Sequence, residues 1–208
     1  YERCKANSDL EVLEASSTTM FYIFFDCSRP PFDNKLVRKA LMYAIDREAE
    51  IDAVLDGCGT PLYTTLGKGC LGYIENPGNY SYDPEKAKEL LVEAGYPDGF
   101  ETTMVICTDL NKRNAEIIQG FLAEIGIKVS VEFIDSGTFM SAALNHEVPM
   151  SCTQFLCYTD TDLIWPRQFS KAFVDSGNST SFWYDDRLDQ LCEEARVYDE
   201  ATRIAKYE

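Results

Sequence analysis

The chain has 208 residues, with 19 Lys and Arg against 35 Asp and Glu, a net charge of −16. Phosphate backbones are bound by clustered Lys and Arg, so this balance argues against a nucleic-acid partner and fits a secreted protein or one that attracts cationic solutes. A hydrophobic content of 45% and an aromatic content of 12% exclude a disordered chain, no apolar run approaches the ~20 residues of a membrane span, and the length suits one domain or one large lobe of a two-lobed protein.

In chain order, residues 1–18 are polar and weakly patterned and read as a lead-in segment. Met20 to Phe25 is a continuous apolar run of high β-propensity, the pattern of a strand covered by helices on both faces. Pro30 and Pro31 break the chain, and Asp33 stands where it can cap a helix with Val37, Leu41, Ala44 and Ile45 inward. Asp46 opens a second helix with Ile51, Val54 and Leu55 inward, closed by Gly57, Gly59 and Pro61. Leu62 to Ser81 has no period and reads as a long loop, in which Tyr63, Tyr73, Tyr80 and Tyr82 either line a cleft or pin the loop to the surface. Asp83-Pro84 starts a helix with Ala87, Leu90, Leu91 and Ala94 inward, ended by Gly95 and Pro97.

Strand Phe100 to Cys107, helix Asn111 to Ile125 and strand Ile127 to Phe133 form a βαβ unit, which implies parallel pairing. Asp135 caps a short helix carrying Phe139, Ala143 and Leu144, and Met150 to Tyr158 is a further strand. An irregular stretch containing Trp165 precedes a helix from Asp185 to Val197 and a last one from near Asp199. The fold expected is α/β, a mixed, mainly parallel sheet flanked by helices.

Several blocks carry a resemblance. Pro30-Pro31-Phe32-Asp33, Val37-Arg38-Lys39-Ala40, Tyr43 to Glu48 and Gly57-Cys58-Gly59-Thr60-Pro61 come first. Tyr82 to Lys88, Ala94 to Phe100, Ala115 to Gln119 and Ile125 to Val129 follow. In order and spacing they resemble the family 5 extracellular solute-binding proteins, the peptide-, nickel- and oligosaccharide-binding receptors of ABC importers. The resemblance runs from about Thr19 to the C-terminus and is most specific from Pro30 to Val129. It implies that residues 19–208 are the second lobe of a two-lobed periplasmic-binding-protein-like fold and an excised part of a larger receptor. Such a receptor closes two lobes on a solute or peptide and delivers it to a membrane permease. The implied protein is extracellular or periplasmic, held at the cell envelope by a lipid anchor or permease outside this chain. It is a binder without a cofactor rather than an enzyme.

In the peptide receptors of that family a Trp, two residues and an Asp end a strand, and the Asp pairs with the ligand α-ammonium. Here the stretch reads Cys157-Tyr158-Thr159-Asp160, with Trp165 a little further on. The resemblance therefore places Asp160 at the ligand, with Cys157, Tyr158 and Trp165 beside it. Dipeptide receptors also hold the ligand carboxylate with an Arg in the loop matching Ile106-Cys107-Thr108-Asp109, which has none. That turns the expectation toward a longer peptide or another amine-bearing solute. The rival readings are a receptor for a nickel complex or an oligosaccharide, and a thiol-dependent enzyme using Cys152 or Cys157.

The residues themselves offer little catalytic chemistry. No G-x-S-x-G elbow, H-E-x-x-H pair or P-loop is present. The one histidine, His146, sits at a polar helix end and reads as a surface residue, and Asp162 reads as a solvated loop carboxylate. The eight cysteines include no C-x-x-C pair, so a zinc site is not expected; Cys58 and Cys70 could close a short loop, with a geometry that sequence does not give, and Cys107 and Cys192 fall on inward positions.

Overall fold

The computed structural model describes residues 2–13, 17, 19–156, 159–163, 169–170, 180–197 and 199–207. A short helix α1 (Glu2–Lys5) precedes β1 (Thr19–Phe25), α2 (Lys35–Ala44), α3 (Arg47–Leu55) and α4 (Pro84–Glu93). Then come β2 (Glu101–Ile106), α5 (Asp109–Glu124), β3 (Lys128–Phe133), α6 (Ser136–Leu144) and β4 (Met150–Leu156). A 3-10 turn (Thr161–Leu163), α7 (Asp186–Glu194) and α8 (Glu200–Tyr207) complete the described elements.

The strands form one sheet in the order β1-β4-β2-β3. β2 pairs parallel with both β3 and β4, and β1 runs antiparallel to β4. The expected mixed, mainly parallel α/β fold is what forms, and α5 is the crossover that parallel pairing of β2 with β3 requires.

The period-2 alternation of β2 explains why helices lie on both faces. Met104 and Ile106 face α2, α4 and α5 in a core with Val37, Leu91, Ile118 and Leu122. Val105 points the other way, to Phe24 and to Phe139 and Ala143 of α6. Each large side chain buried this completely is worth roughly 1.5–3 kcal/mol. The helix starts follow local chemistry: Asp46 accepts the Glu48 and Ala49 amides, Asp83 that of Lys86, Asp135 that of Thr138 and Asp185 that of Arg187. Each such cap contributes about 1 kcal/mol.

Three local expectations change. Asn34, not Asp33, caps α2, accepting the Leu36 amide at 2.9 Å, because Asp33 is held in the preceding turn by its own amide donating to Arg29 O. α5 starts two residues early, since Thr108 is a competent N-cap and accepts the Asn111 amide. β1 is not buried on both faces: it lies at the edge of the sheet, where of its residues only Met20 and Phe24 are buried. The Cys58–Cys70 pairing that the sequence left open does not form, with Cys58 exposed and Cys70 buried.

The βαβ unit closes through a backbone contact that only glycine permits. Gly99 has φ +74°, and a Cβ built there would lie 1.9 Å from Gly126 O. Both obstacles are backbone, so no rotamer relieves them. Gly99→Ala is expected to lower stability by more than about 2 kcal/mol through strain at positive φ and the clash. Gly120, exposed in α5 with open space around its Cβ position, is the control: Gly120→Ala should raise stability by about 0.5–1 kcal/mol. Urea denaturation of both variants measures the two signs, and equal effects would refute the contact.

Candidate functional site

β2 and β4 are parallel, so their carboxyl ends open on the same side of the sheet. Antiparallel β1 brings its amino end there too, with Thr19 opposite Leu156. α5 begins at the same place, after Cys107 and Thr108. Crevices outside the carboxyl ends of strands are where open α/β sheets bind ligands.

A cleft of about 1960 Å³ runs from this end along the open side of β1. Its walls are β1 itself, α2 and α3, the 56–70 loop, Phe139 and Met140 of α6, and Thr159 and Trp183. Lys35, Arg38, Lys39, Arg47 and Lys68 line it against only Glu50 and Asp56, so the cleft is locally cationic although the chain carries −16. The overall charge therefore does not forecast the sign of the field a solute would meet. Glu50 of α3 is held up from the ordinary carboxylate range by burial, a shift opposed by Arg47 and by a hydrogen bond from Asn114 of α5. Arg47 spends its guanidinium on the backbone carbonyls of Met42, Ile45 and Leu62, which fixes the α2–α3 corner to the loop beyond it.

The turn after β4 is tied down on two sides. Thr161, fully buried, donates its hydroxyl to Leu71 O, and Leu71 N donates to Thr159 O at 3.0 Å. On the other side two arginines of the C-terminal helical region reach the acidic pair. Arg203 contacts Asp160 Oδ1 at 2.5 Å and Arg196 contacts Asp162 Oδ1 at 2.9 Å. Asp160 is thus oriented rather than loose: Oδ1 accepts from Arg203 and from the Asp162 amide, and its Oδ2 has no partner among the described residues. The hydrogen bond from Arg203, aided by the Asp162 amide, holds the Asp160 carboxyl below the ordinary range. Asp162 is not the solvated carboxylate expected; its side chain is 27% exposed and ion-paired.

Of the residues the sequence marked, Asp160 is described, while Cys157, Tyr158 and Trp165 lie outside the described residues. Tyr63 and Tyr80 line the cleft; Tyr82 instead pins its loop to α5, donating to Glu124 and meeting Phe121 edge-on. His146 is more engaged than a surface residue: Nδ1 lies 3.0 Å from Asp26 Oδ2, and the ring stacks on Phe182. The arginines that orient Asp160 and Asp162 were not anticipated, and nothing in the local pattern around Arg196 or Arg203 signals the pairing. Cys152 is wholly buried, and burial pushes its thiol up to about 12, so it is not a thiolate at neutral pH.

The model of the bacterial extracellular solute-binding proteins, family 5, middle part, matches residues 1–181. The chain belongs to this family. It is 41% identical to heme-binding protein A of Haemophilus influenzae over 134 residues, which is 62% of this chain and 24% of that protein. Against the dipeptide-binding protein of Escherichia coli K12 it is 29% identical over 208 residues, 95% of this chain and 38% of the relative. The structure of HbpA2 from Haemophilus parasuis superposes with a TM-score of 0.91 at 31% identity, covering 99% of this chain and 42% of that one. DppA from Helicobacter pylori, solved in complex with peptide STSA, gives 0.90 at 29% identity over 99% of this chain and 41% of that one. The chain thus spans from a quarter to about two fifths of the length of these relatives. These relatives are solute-binding proteins of two-lobed architecture, and no described helix is long and apolar enough to cross a membrane.

The Asp160–Arg203 contact makes a pH-dependent prediction. Asp160 has a depressed folded-state pKa, so the pair's contribution is present at neutral pH and is lost as pH falls through that value, below 3.8. Because the Asp160 side chain is 41% exposed, screening limits the gain to about 0–1 kcal/mol. Arg203→Gln should therefore lower the urea midpoint at pH 7, and the gap to the unsubstituted protein should narrow as pH drops below 3.8. A gap independent of pH would show that the carboxylate is not what Arg203 stabilises.

Proposed function

We propose that residues 19–208 form one wall of the solute cleft in a peptide receptor of an ABC importer, with Asp160 as the acceptor for the ligand's α-ammonium. The receptor closes its two lobes on the peptide and hands it to the membrane permease from the extracellular or periplasmic side. The observation that carries the reading is the state of Asp160. It stands next to cleft-lining Thr159, one oxygen anchored by Arg203 and the Asp162 amide and the other without a partner among the described residues. A carboxylate fixed in this way can take an ammonium at little further ordering cost, and lobe closure would strengthen the pair by excluding water. The peptide-bound relative of 0.90 TM-score supports the ligand class. The cationic lining offers a complement to a ligand carboxylate, in place of the Arg missing from the loop after β2. Cys157, Tyr158 and Trp165 adjoin Asp160 in the sequence and would flank the ammonium. The chain acts as a binder; the buried, protonated Cys152 gives no support to thiol catalysis.

A second reading has one specific support: the 41% identity to a heme-binding protein. Absorbance titration of the full-length receptor with hemin separates the two, since a bound porphyrin shifts its visible band and a peptide does not.

Calorimetry of the full-length receptor with tri-alanine tests the role of Asp160. Asp160→Asn keeps the shape and removes the charge, and loss of one partner of a desolvated pair costs roughly 2–5 kcal/mol, about 30- to several-thousand-fold in affinity. N-acetyl-tri-alanine, without the ammonium, should bind the unsubstituted receptor as weakly as tri-alanine binds the variant. Asp162→Asn, which loses only its contact with Arg196, should cost stability rather than affinity. Equal, small effects of both substitutions on tri-alanine binding would remove Asp160 from the site.

A further inference from the structure

The tie between Arg203 and Asp160 depends on where α8 sits, and a glycine distant in sequence sets that position. Arg203 and Tyr207 are four residues apart on α8, so they share one face of the helix. Tyr207 is 3% exposed and abuts Gly72. A Cβ built on Gly72 would fall well inside van der Waals contact of Tyr207 Cβ, and 3.3 and 3.4 Å from its backbone C and Cα. No rotamer moves any of these three atoms, so the approach exists only because residue 72 has no side chain. Gly72 also has φ +78°, a conformation open to glycine at no steric cost.

The residue before it is tied to the same region. Leu71 N donates to Thr159 O at 3.0 Å, and Leu71 O accepts from the Thr161 hydroxyl. The 69–73 loop thus meets the 3-10 turn through Leu71 and α8 through Gly72, and α8 returns to that turn through Arg203. These three pieces make a closed ring, and Gly69 to Tyr73, Thr159 and Ile204 line a hollow of about 410 Å³ within it. A displacement at one corner is passed to the others. Carbon atoms in contact stand about 3.5–4.0 Å apart, so a side chain at residue 72 moves Tyr207 by about 1 Å or more. The Arg203 guanidinium, its Cζ 6.0 Å from the centre of the Tyr207 ring, is carried with it. Its contact with Asp160 Oδ1, 2.5 Å long, is lost once the atoms part beyond hydrogen-bond range.

We propose that Gly72 is a positioning residue for solute capture: by admitting Tyr207 it seats α8, and Arg203 then holds the Asp160 carboxylate in its binding orientation. This rests on the reading of Asp160 as the acceptor for the solute ammonium. Gly72 itself is not part of the cleft wall, so its effect on affinity runs wholly through α8.

The first measurement uses the full-length receptor without solute. Carbon-13 NMR of labelled aspartate follows the titration of the Asp160 carboxyl, assigned by its disappearance in Asp160→Asn. The Arg203 hydrogen bond holds this carboxyl below the ordinary range, so losing that bond raises the pH at which it titrates. Arg203→Gln and Gly72→Ala are both expected to raise it, and the double variant no further than Arg203→Gln alone. Gly72→Asn is measured beside Gly72→Ala, because Asn tolerates positive φ and so keeps the Cβ clash with less backbone strain. An unmoved titration in the residue-72 variants overturns this proposal alone. Calorimetry then compares tri-alanine with N-acetyl-tri-alanine at pH 7. Each residue-72 variant should weaken tri-alanine by about 3- to 10-fold, the cost of ordering one freed side chain, and leave the acetylated peptide unchanged. Equal weakening of both peptides would show a general distortion of the lobe and overturns the proposal. Tri-alanine binding to Asp160→Asn as tightly as to the unsubstituted receptor overturns the ammonium reading, and the role of Gly72 in capture with it, whatever the titration shows.

Discussion

The carboxylate of Asp26, wholly excluded from solvent, is the point on which the sheet and the helices around it depend. Its Oδ1 accepts from the Ser28 hydroxyl and amide, and its Oδ2 from Arg29 Nε at 3.0 Å, with His146 Nδ1 at the same distance. A buried carboxylate is tolerated only where its oxygens are this fully met, and removing partners from such a group typically costs about 3–5 kcal/mol. Four pieces of chain meet here: the end of β1, the turn into the Pro30-Pro31 segment, the end of α6 and the start of β4. The amide of the same residue donates to Pro149 O and so opens the β1/β4 ladder. A slip of one residue would exchange Tyr22 and Phe24, which pack toward α6, with Ile23 and Phe25, which pack toward α2.

From that fixed register the position of the cleft follows. β4 is held antiparallel to β1 and parallel to β2, so three strand ends and the start of α5 converge on one side of the molecule. The 3-10 turn after β4 is then placed by partners far away in sequence: Leu71 on one side, Arg196 and Arg203 on the other. Asp160 owes its orientation to this double attachment. The bonds at both flanks remove conformational freedom from the turn that carries Asp160.

The charge pattern illustrates how tertiary structure redistributes a composition. Acidic residues cap helices and face solvent, whereas five cations meet along one cleft. Local field, not net charge, is what a solute approaching within a Debye length experiences. Burial acts in the same selective way on thiols: Cys152 and Cys192 are raised to about 12 and about 11 by desolvation.

The sequence by itself determined the elements and their class. Periodicity and capping residues are local: Asp46, Asp83, Asp135 and Asp185 each meet amides within three residues, so their role is legible without knowing the fold. The strand–helix–strand order from Phe100 to Phe133 likewise implies parallel pairing, because a crossover of that length leaves little alternative. The blocks from Pro30 to Val129 carried the family for the same reason, being contiguous. What only the tertiary structure decided are pairings between distant positions: Arg203 with Asp160 across 43 residues, His146 with Asp26 across 120, Gly99 against Gly126. The place of β1 also belongs to this group. A run such as Met20 to Phe25 states that both faces are to be covered, but strand order is a property of the whole sheet, and it put that run at an edge.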